Sequence, residues 1–254
     1  MRARPAGCQT TEPCAIAARA VFPAQLDAVL FDAGGTLLHL DYAWMARIAR
    51  ARGVEVAEGA LRRAEVAARH AIDAHARASG GVGGTDATRR EGYFGNLLRA
   101  AGVAPGPACE ILADLEMANL EASLWRVPLE RAAETLEGLR ARGLRTAVVS
   151  NADGRVEALL NAAGLGVHLE LVVDSHYEGI EKPDPAIFER ALARMGVRAE
   201  RAAYVGDIYA IDVVGARAAG MTPILIDSAG GYPDADCPRI ERLAELLDHL
   251  PRRA

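Results

Sequence analysis

The stretch LDAVLFDAGGTLLHL, residues 26–40, decides the predicted fold. The three apolar residues before Asp32 have the composition of a buried strand, which places Asp32 at the C-terminal edge of a sheet. In an open α/β sheet, ligands bind at that edge. Gly34 and Gly35 allow a sharp turn that brings backbone amides close to a ligand. A carboxylate followed by this turn and by the hydroxyl of Thr36 is typical of a nucleophile that faces a phosphoryl group and a metal ion.

Composition and charge argue against several classes of protein. Of the 254 residues, 51% are hydrophobic, so the chain is long enough for one domain with an insertion or for two domains. The net charge of −5 argues against nucleic acid as a partner, because phosphate backbones select basic surfaces. No apolar run approaches the roughly 18 residues of a membrane span, so we expect no membrane partner. The four cysteines form no C-x-x-C pair, which argues against a zinc knuckle or a disulfide scaffold and favours a cytoplasmic location.

The order of patterns along the chain predicts three regions. Residues 1–25 carry scattered arginines and prolines, and we expect a disordered extension there. Residues 41–127 have apolar residues at helical spacing and no strand signal, which predicts an all-helical insertion over the edge where Asp32 lies. Residues 26–40 and 128–254 then form the α/β core.

Strands and helices alternate through the second part of this core, which predicts an α/β fold with a Rossmann-like parallel sheet and helices on both faces. The predicted strands after the first are Arg145–Ser150, Leu169–Asp174, Ala202–Val205 and Pro223–Ile226. The predicted helices are Leu129–Arg142, Gly154–Ala163, Pro185–Met195, Ile211–Ala219 and Ile240–Leu250.

Four of the predicted strands lead into polar residues of the kind that phosphoryl chemistry uses. These residues are Asp32, Ser150 with Asn151, Lys182, and Asp207 with Asp212. Because the carboxyl ends of parallel strands lie along one edge of a sheet, we expect these side chains to gather there. Lys182 is also the only lysine among 29 basic residues, which indicates a position that needs a compact ammonium rather than a planar guanidinium.

Taken together, these residues resemble the four motifs of the haloacid dehalogenase superfamily, over residues 26–40 and 128–226. The helical region 41–127 lies where that family carries its C1-type cap, so the chain resembles a C1-capped, phosphatase-like member. The resemblance implies that Asp32 is a nucleophile that forms an aspartyl-phosphate. It also implies that Lys182 offsets negative charge between the nucleophile and the substrate.

The resemblance implies further contacts with a small phosphorylated substrate and with Mg²⁺. Ser150, with Asn151 beside it, would hydrogen-bond the phosphoryl oxygens, and the turn at Gly35 and Thr36 would contact the phosphate. The implied metal ligands are Asp32, Asp207 and the backbone carbonyl of Gly34, with Asp212 steadying the metal shell or the lysine. Elementary electrostatics agrees, because a carboxylate that attacks a phosphate dianion needs a divalent cation and an ammonium nearby.

The sequence departs from the family pattern at Gly34, where phosphatases of the superfamily usually carry a second Asp that acts as general acid and base. Positioned acid–base catalysis is typically worth roughly 10²–10⁴-fold, so its loss weakens phosphatase activity or restricts it to good leaving groups such as aryl or acyl phosphates. His39 or a residue of the cap is an alternative proton source. On this interpretation, Gly34→Asp raises phosphatase activity and Asp32→Asn abolishes it.

Two other functions stay open at this point. A 2-haloacid dehalogenase also lacks the second Asp, needs no metal and releases halide without a proton. Arg47 or Arg50 could then hold the carboxylate of the substrate, although Asp207 supplies a metal-binding acid that dehalogenases generally lack. A catalytically impaired member would instead bind a phosphorylated ligand without turnover.

Overall fold

The structure, a computed structural model, describes residues 21–79 and 86–250. Most of the predicted N-terminal extension, residues 1–25, lies outside these residues. At its described end, the ring of Phe22 stacks on His249 with ring centroids 4.2 Å apart, and it packs against the hydrophobic core. Phe22 therefore belongs with the folded core.

Six parallel strands form the central sheet, which confirms the predicted α/β fold. The strands of the described residues are β1 (Ala28–Phe31), β2 (Leu38–Leu40), β3 (Trp125–Pro128), β4 (Arg145–Ser150), β5 (Leu171–Asp174), β6 (Ala202–Gly206), β7 (Thr222–Ile226) and β8 (Arg239–Ile240). The order in the sheet is β5-β4-β1-β6-β7-β8, and β1, which is buried throughout, lies between β4 and β6. β2 and β3 form a separate antiparallel ribbon.

Helices cover both faces of the sheet. The α-helices of the described residues are α1 (Tyr42–Ala51), α2 (Glu58–Ser79), α3 (Asp86–Ala100), α4 (Pro105–Ala122), α5 (Ala132–Ala141), α6 (Val156–Ala162), α7 (Ser175–Glu178), α8 (Pro185–Met195), α9 (Val214–Ala218) and α10 (Leu246–His249). Helices α5, α6 and α10 pack on one face, and α8 and α9 pack on the other. No helix in the described part of the chain is both long and apolar enough to cross a membrane.

The helices α1–α4 pack around an apolar cluster of their own. The chain leaves the core through β2, forms these helices and returns through β3, an arrangement compatible with the predicted insertion over residues 41–127. The ribbon itself is not predicted by the sequence, because its strands are only three and four residues long and lie far apart along the chain. The exact domain boundaries stay a prediction.

Helix α8 shows why some elements follow directly from local sequence. It has the predicted bounds, and its first residue is Pro185, whose fixed φ suits a helix start. The side chain of Asp184 caps this end by accepting a hydrogen bond from the amide of Ala186 at 2.9 Å. At the other end, Gly196 takes a left-handed conformation with φ of +61°, which ends the helix.

The predicted helix over Ile240–Leu250 is wrong in its first half. The start of this segment belongs to β8, and a 3₁₀ turn at Leu243–Glu245 precedes the single helical turn of α10. The amide of Asp227 donates to the carbonyl of Ile240 at 2.8 Å, so pairing with β7 holds this part of the chain extended. Tertiary pairing overrides the helical spacing of the leucines here.

Candidate active site

The structure brings together the polar side chains that follow β1, β4 and β6 at one edge of the sheet. The Lys182 ammonium lies between two carboxylates, with Nζ 2.7 Å from Asp32 Oδ1 and 2.7 Å from Asp212 Oδ1. Ser150 Oγ donates to Asp32 Oδ1 at 3.1 Å. The backbone amide of Asp207 donates to Asp212 Oδ2 at 3.0 Å. Residues from four separate parts of the chain therefore share one buried polar cluster.

Two neighbours fix the position of Lys182. The amide of Lys182 donates to Asn151 Oδ1 at 2.7 Å, and Asn151 Nδ2 donates to the carbonyl of Lys182 at 3.0 Å. The ammonium also donates to the hydroxyl of Tyr204 at 2.9 Å, and this hydroxyl donates to the carbonyl of Val149 at 2.7 Å. Both polar atoms of the Asn151 amide are used within the fold, so the geometry supports a positioning role in place of the predicted phosphate contact.

Tyr204 is a functional residue that sequence reasoning missed. It lies in β6, whose other residues are small or aliphatic, and its side chain is almost completely buried. A buried tyrosine hydroxyl usually has a hydrogen-bond partner. A tyrosine within a predicted buried strand could therefore have indicated a polar contact at this position.

Burial and paired charges set the protonation of this cluster. Burial raises the pKa of Asp32 to about 6, against the lowering effect of Lys182. Burial alone would lower the pKa of the Lys182 ammonium, but Asp212 and Asp32 outweigh this and hold the pKa above its usual value. Lys182 is only 2% exposed. It therefore keeps a buried positive charge beside the carboxylate of Asp32 at neutral pH.

The carboxylates at this edge fit a divalent metal ion. Asp32, Asp207 and Asp212 each offer an oxygen, and these oxygens lie within 4.8 Å of one another. Oδ1 of Asp207 is buried and has no hydrogen-bond partner among the described residues. Burial raises the pKa of Asp207 well above its ordinary value; Arg69 opposes this, and Asp212 adds to it. Closely packed carboxylate oxygens are the ligands that Mg²⁺ prefers.

The carboxylate of Asp212 is engaged in hydrogen bonds with neighbouring residues of the fold. It lies in a π-helical turn at Tyr209–Val213 that precedes α9. Its Oδ1 accepts from Lys182, and its Oδ2 accepts from the amides of Asp207 and Ile208 at 3.0 and 2.9 Å. Of the two roles that the family resemblance implies for Asp212, the geometry supports the one that steadies the lysine.

Gly35 and Thr36 have structural contacts within the turn, and the phosphate contacts predicted for them stay a prediction. Gly35 has φ of +76°, and a Cβ there would lie 2.1 Å from Asp207 Oδ2, so glycine is required for Asp207 to pack against it. The amide of Gly35 already donates to the carbonyl of Leu38 at 2.7 Å. Thr36 is completely buried, and its Oγ1 has no hydrogen-bond partner within the described chain. Both residues shape the turn behind the site.

Arg69 of α2 reaches the same cluster from the helical side, and sequence reasoning missed it. Its Nη1 donates to Asp207 Oδ2 at 3.0 Å, and the residue is 8% exposed. Glu65 lies one turn earlier on α2 and accepts hydrogen bonds from the hydroxyls of Tyr93, at 2.9 Å, and Tyr42. The spacing of Glu65 and Arg69 places both on one helix face, which was the only sequence signal.

Three other residues that the sequence suggested for the site lie elsewhere. The ring of His39 is 2.7 Å from a backbone carbonyl of its own strand, through Nδ1, and it is not part of the cavity wall. Arg50 is exposed and pairs with Glu55 at 2.9 Å. Arg47 is exposed as well. The geometry thus supports neither His39 as a proton donor nor these arginines as ligands of a carboxylate.

A cavity of about 150 Å³ lies over the polar cluster. Asp32, Ser150, Lys182 and Asp207 form a polar wall of it at the sheet edge. An apolar wall is formed by Leu38, Ile72, Trp125, Val156, Leu159 and Ile211, and the polar residues Asn119, Ser123 and Asp153 also line the cavity. This division suits a substrate with one strongly anionic end and one uncharged organic end.

Comparison with known proteins gives consistent results. Residues 26–220 match the haloacid dehalogenase-like hydrolase family. The chain is 36% identical to the haloacid dehalogenase-like hydrolase domain-containing protein 3 of Bos taurus, over 89% of this chain and 95% of that protein. The match to the mouse protein of the same name, at 39% identity, covers 62% of its length.

Two further similarities concern a phosphatase and a solved fold. A phosphoserine phosphatase of Thermus thermophilus is 42% identical over 63% of this chain and 63% of that protein. The crystal structure of a dehalogenase with an intermediate complex covers 91% of this chain and 99% of its own, with a TM-score of 0.62. Its identity is 22%, so this likeness shows the fold alone.

Proposed function

This chain belongs to the haloacid dehalogenase-like hydrolase family and is a hydrolase, and we propose that it is a Mg²⁺-dependent phosphohydrolase. Its substrate would be a small phosphorylated metabolite, and the intermediate would be an aspartyl-phosphate at Asp32. We further propose that it is a C1-capped, phosphatase-like member in which Gly34 replaces the second Asp. That replacement would restrict turnover to good leaving groups.

The observation that carries this proposal is Oδ1 of Asp207 beside Asp32, which is buried and has no hydrogen-bond partner among the described residues. A buried carboxylate oxygen without a hydrogen-bond partner is unfavourable unless another group binds it. Asp32, Asp207 and the backbone carbonyl of Gly34 would hold Mg²⁺, which when bound offsets the negative charge of the phosphoryl group. Halide displacement needs no metal, so a dehalogenase would leave this acid unexplained.

In the first step, the carboxylate of Asp32 would attack phosphorus. Oδ1 of Asp32 accepts from both Ser150 and Lys182, which orients the carboxylate. A bond forms between Asp32 and phosphorus, the bond from phosphorus to the leaving oxygen breaks, and its electron pair stays on that oxygen. The ammonium of Lys182 and the hydroxyl of Ser150 would stabilise the negative charge at the reacting centre.

In the second step, water would attack the aspartyl-phosphate, which restores the Asp32 carboxylate and releases inorganic phosphate. A carboxylate at residue 34 would serve as the base for this water, and Gly34 has none. We therefore expect slow dephosphorylation, so that the covalent intermediate accumulates and gives burst kinetics.

A substrate panel with and without Mg²⁺ tests this proposal. The panel contains an aryl phosphate, acetyl phosphate, an alkyl phosphate and 2-chloropropionate. We expect Mg²⁺-dependent turnover of the first two, and a loss of about 10³-fold or more in Asp32→Asn, because the covalent nucleophile is removed. The matched control is Asp234→Asn, which changes an exposed carboxylate and should leave the activity unchanged.

Other outcomes would assign a different function. Full turnover by Asp32→Asn would contradict the mechanism. Halide release from 2-chloropropionate without Mg²⁺ would support a 2-haloacid dehalogenase. Thermal stabilisation by Mg²⁺ and phosphate without any turnover would support a ligand-binding role.

A further inference from the structure

Trp125, the first residue of β3, lies directly against Gly34, the residue that replaces the proton-donating Asp. A Cβ on Gly34 would be 3.1 Å from Cδ1 and 3.2 Å from Nε1 of Trp125. Such distances are shorter than about nine in ten Cβ contacts in proteins, so a side chain at residue 34 would require the indole to move by a few tenths of an ångström. The five-membered edge of the indole therefore crowds the space next to Gly34.

Neighbouring rings hold this indole in place. Its ring centroid is 5.3 Å from that of Phe94 and 5.8 Å from that of Tyr93, both on α3. Trp125 also pairs with Leu40 in the antiparallel ribbon, so its backbone is fixed as well. Phe94 and Tyr93 are themselves buried, and tilted aromatic contacts of this kind favour one ring orientation. The indole is thus a fixed part of the cavity wall.

The indole N–H is available to a molecule in the cavity. Trp125 lines the cavity, and no group among the described residues accepts a hydrogen bond from its Nε1. An indole nitrogen is a donor only. It can stabilise negative charge on a leaving oxygen by a hydrogen bond, but it cannot give that oxygen a proton.

The rest of this wall favours an uncharged, apolar leaving group. Leu38, Ile72 and Val156 line the cavity together with Trp125. Lys182 is the sole basic residue among the described residues that line it, and its ammonium is already held by carboxylates. A second anionic group on the substrate would therefore meet no further cation among the described lining residues.

We propose that Trp125 determines leaving-group specificity and that the substrates are aryl phosphates. This inference rests on the proposed phosphohydrolase function and deepens it. The aryl ring would pack against the indole, and its oxygen would accept a hydrogen bond from Nε1. When the bond to phosphorus breaks, the electron pair stays on a phenolate oxygen, which is stable without a proton and later takes one from solvent. An alkoxide would need a proton at once, and neither Gly34 nor Trp125 supplies one.

Fluorescence tests this assignment without turnover. The chain has two tryptophans, so Trp44→Phe leaves Trp125 as the sole indole emitter. With Mg²⁺ present, phenylphosphonate should quench or shift the emission of this variant, whereas methylphosphonate should leave it nearly unchanged. An equal response to both phosphonates, or a response to neither, would overturn the proposal.

Variants of Trp125 test the same assignment by kinetics. Trp125→Ala should lower kcat/KM for phenyl phosphate by roughly tenfold, through loss of aromatic packing, and change that for acetyl phosphate by less than about twofold. Trp125→Phe keeps an aromatic face without the N–H, so we expect a slower burst of phenol release and a lower kcat/KM for phenyl phosphate, with kcat little changed because dephosphorylation limits it. Trp44→Phe is the matched control. An unchanged ratio of aryl to acetyl activity in both Trp125 variants would contradict the inference.

A double variant tests whether the indole takes the place of the missing acid. In contrast to the rise in activity expected from the sequence, Gly34→Asp alone should give little gain on an alkyl phosphate, because its Cβ would lie 3.1 Å from the indole. Gly34→Asp combined with Trp125→Ala should raise that activity by roughly 10²-fold. An equal gain from Gly34→Asp alone would overturn the role of Trp125. If the wild type hydrolyses no phosphate ester, the proposed function fails, and the phosphonate response still decides on Trp125.

Discussion

The two walls of the cavity differ in how their side chains are held. At the sheet edge, the Lys182 ammonium contacts Asp32, Asp212 and Tyr204, and its backbone is fastened by Asn151. In the apolar wall, Trp125 is held by packing, and its N–H has no partner in the described part of the chain. In the first wall most polar atoms are hydrogen-bonded to one another, and we propose that this wall carries the chemistry. The second wall leaves a donor for the leaving group, and we propose that it sets the substrate.

The largest expected effect comes from removing the charge at the centre of the first wall. Lys182→Met should lower kcat/KM by about 10²–10³-fold, because a preorganised charge at the reacting centre is lost. It should also lower the stability, since Asp32 and Asp212 would be buried without their cation. Enzyme kinetics and thermal unfolding measure both effects, with Arg198→Met on the exposed surface as the control.

Lys182→Arg sharpens this test. A planar guanidinium cannot take the place of a compact ammonium that donates to Asp32, Asp212 and Tyr204. We expect it to be nearly as impaired as Lys182→Met. Retention of more than about a third of the wild-type kcat/KM would show that only the charge matters.

Asn151→Ala separates a positioning role from a phosphate contact. It removes both hydrogen bonds that fasten the backbone of Lys182. We expect kcat to fall by about ten- to hundredfold with little change in KM, because a small displacement of a catalytic group is enough for such a loss. Asn96→Ala on α3 serves as the control. A raised KM with an intact kcat would restore the phosphate contact predicted from the sequence.

Tyr204→Phe removes one hydroxyl from the first wall and keeps the ring that packs on Phe188. The buried carbonyl of Val149 loses its donor, so we expect the free energy of unfolding to fall by about 1–2 kcal/mol, with a several-fold lower kcat. Denaturant unfolding measures the first effect. In the control Tyr177→Phe, the lost hydroxyl donates to a carbonyl at the exposed surface, and the change should stay below about 0.5 kcal/mol. Equal losses in both variants would contradict this account.

The smallest expected effect is at Thr36. Its hydroxyl is buried without a partner among the described residues, so Thr36→Val should leave the activity unchanged and keep or slightly raise the stability. Thr135→Val is the matched control, since that buried hydroxyl donates to the carbonyl of Arg131 at 2.7 Å and its loss should destabilise by about 1 kcal/mol. A clear loss of activity in Thr36→Val would return this residue to the site.

The first wall could largely be predicted from the sequence. Asp32 and Asp207 directly follow strands of the parallel sheet and Ser150 ends one, and parallel strands bring their carboxyl ends to one edge. Lys182 was indicated because it is the only lysine. The bounds of α8 follow from its proline start and glycine end for the same local reason.

The second wall could not be predicted, because its contacts join distant parts of the chain. In the first wall, the contact of Arg69 with Asp207 was missed for the same reason, because it spans 138 residues and Arg69 is one of many arginines. Trp125 is brought against Gly34 by the ribbon of β2 and β3. Strands this short show little periodicity in the sequence. Tertiary pairing of the same kind turned part of the predicted last helix into β8.

The proposed mechanism requires Asp32 to act as a covalent nucleophile, and location of the phosphoryl group tests this directly. The protein would be mixed with an aryl phosphate and Mg²⁺, quenched in acid within the burst, digested and analysed by mass spectrometry. We predict a phosphoryl group on the peptide that contains Asp32, and none in Asp32→Asn. Steady turnover with no phosphoryl group on that peptide would contradict the mechanism.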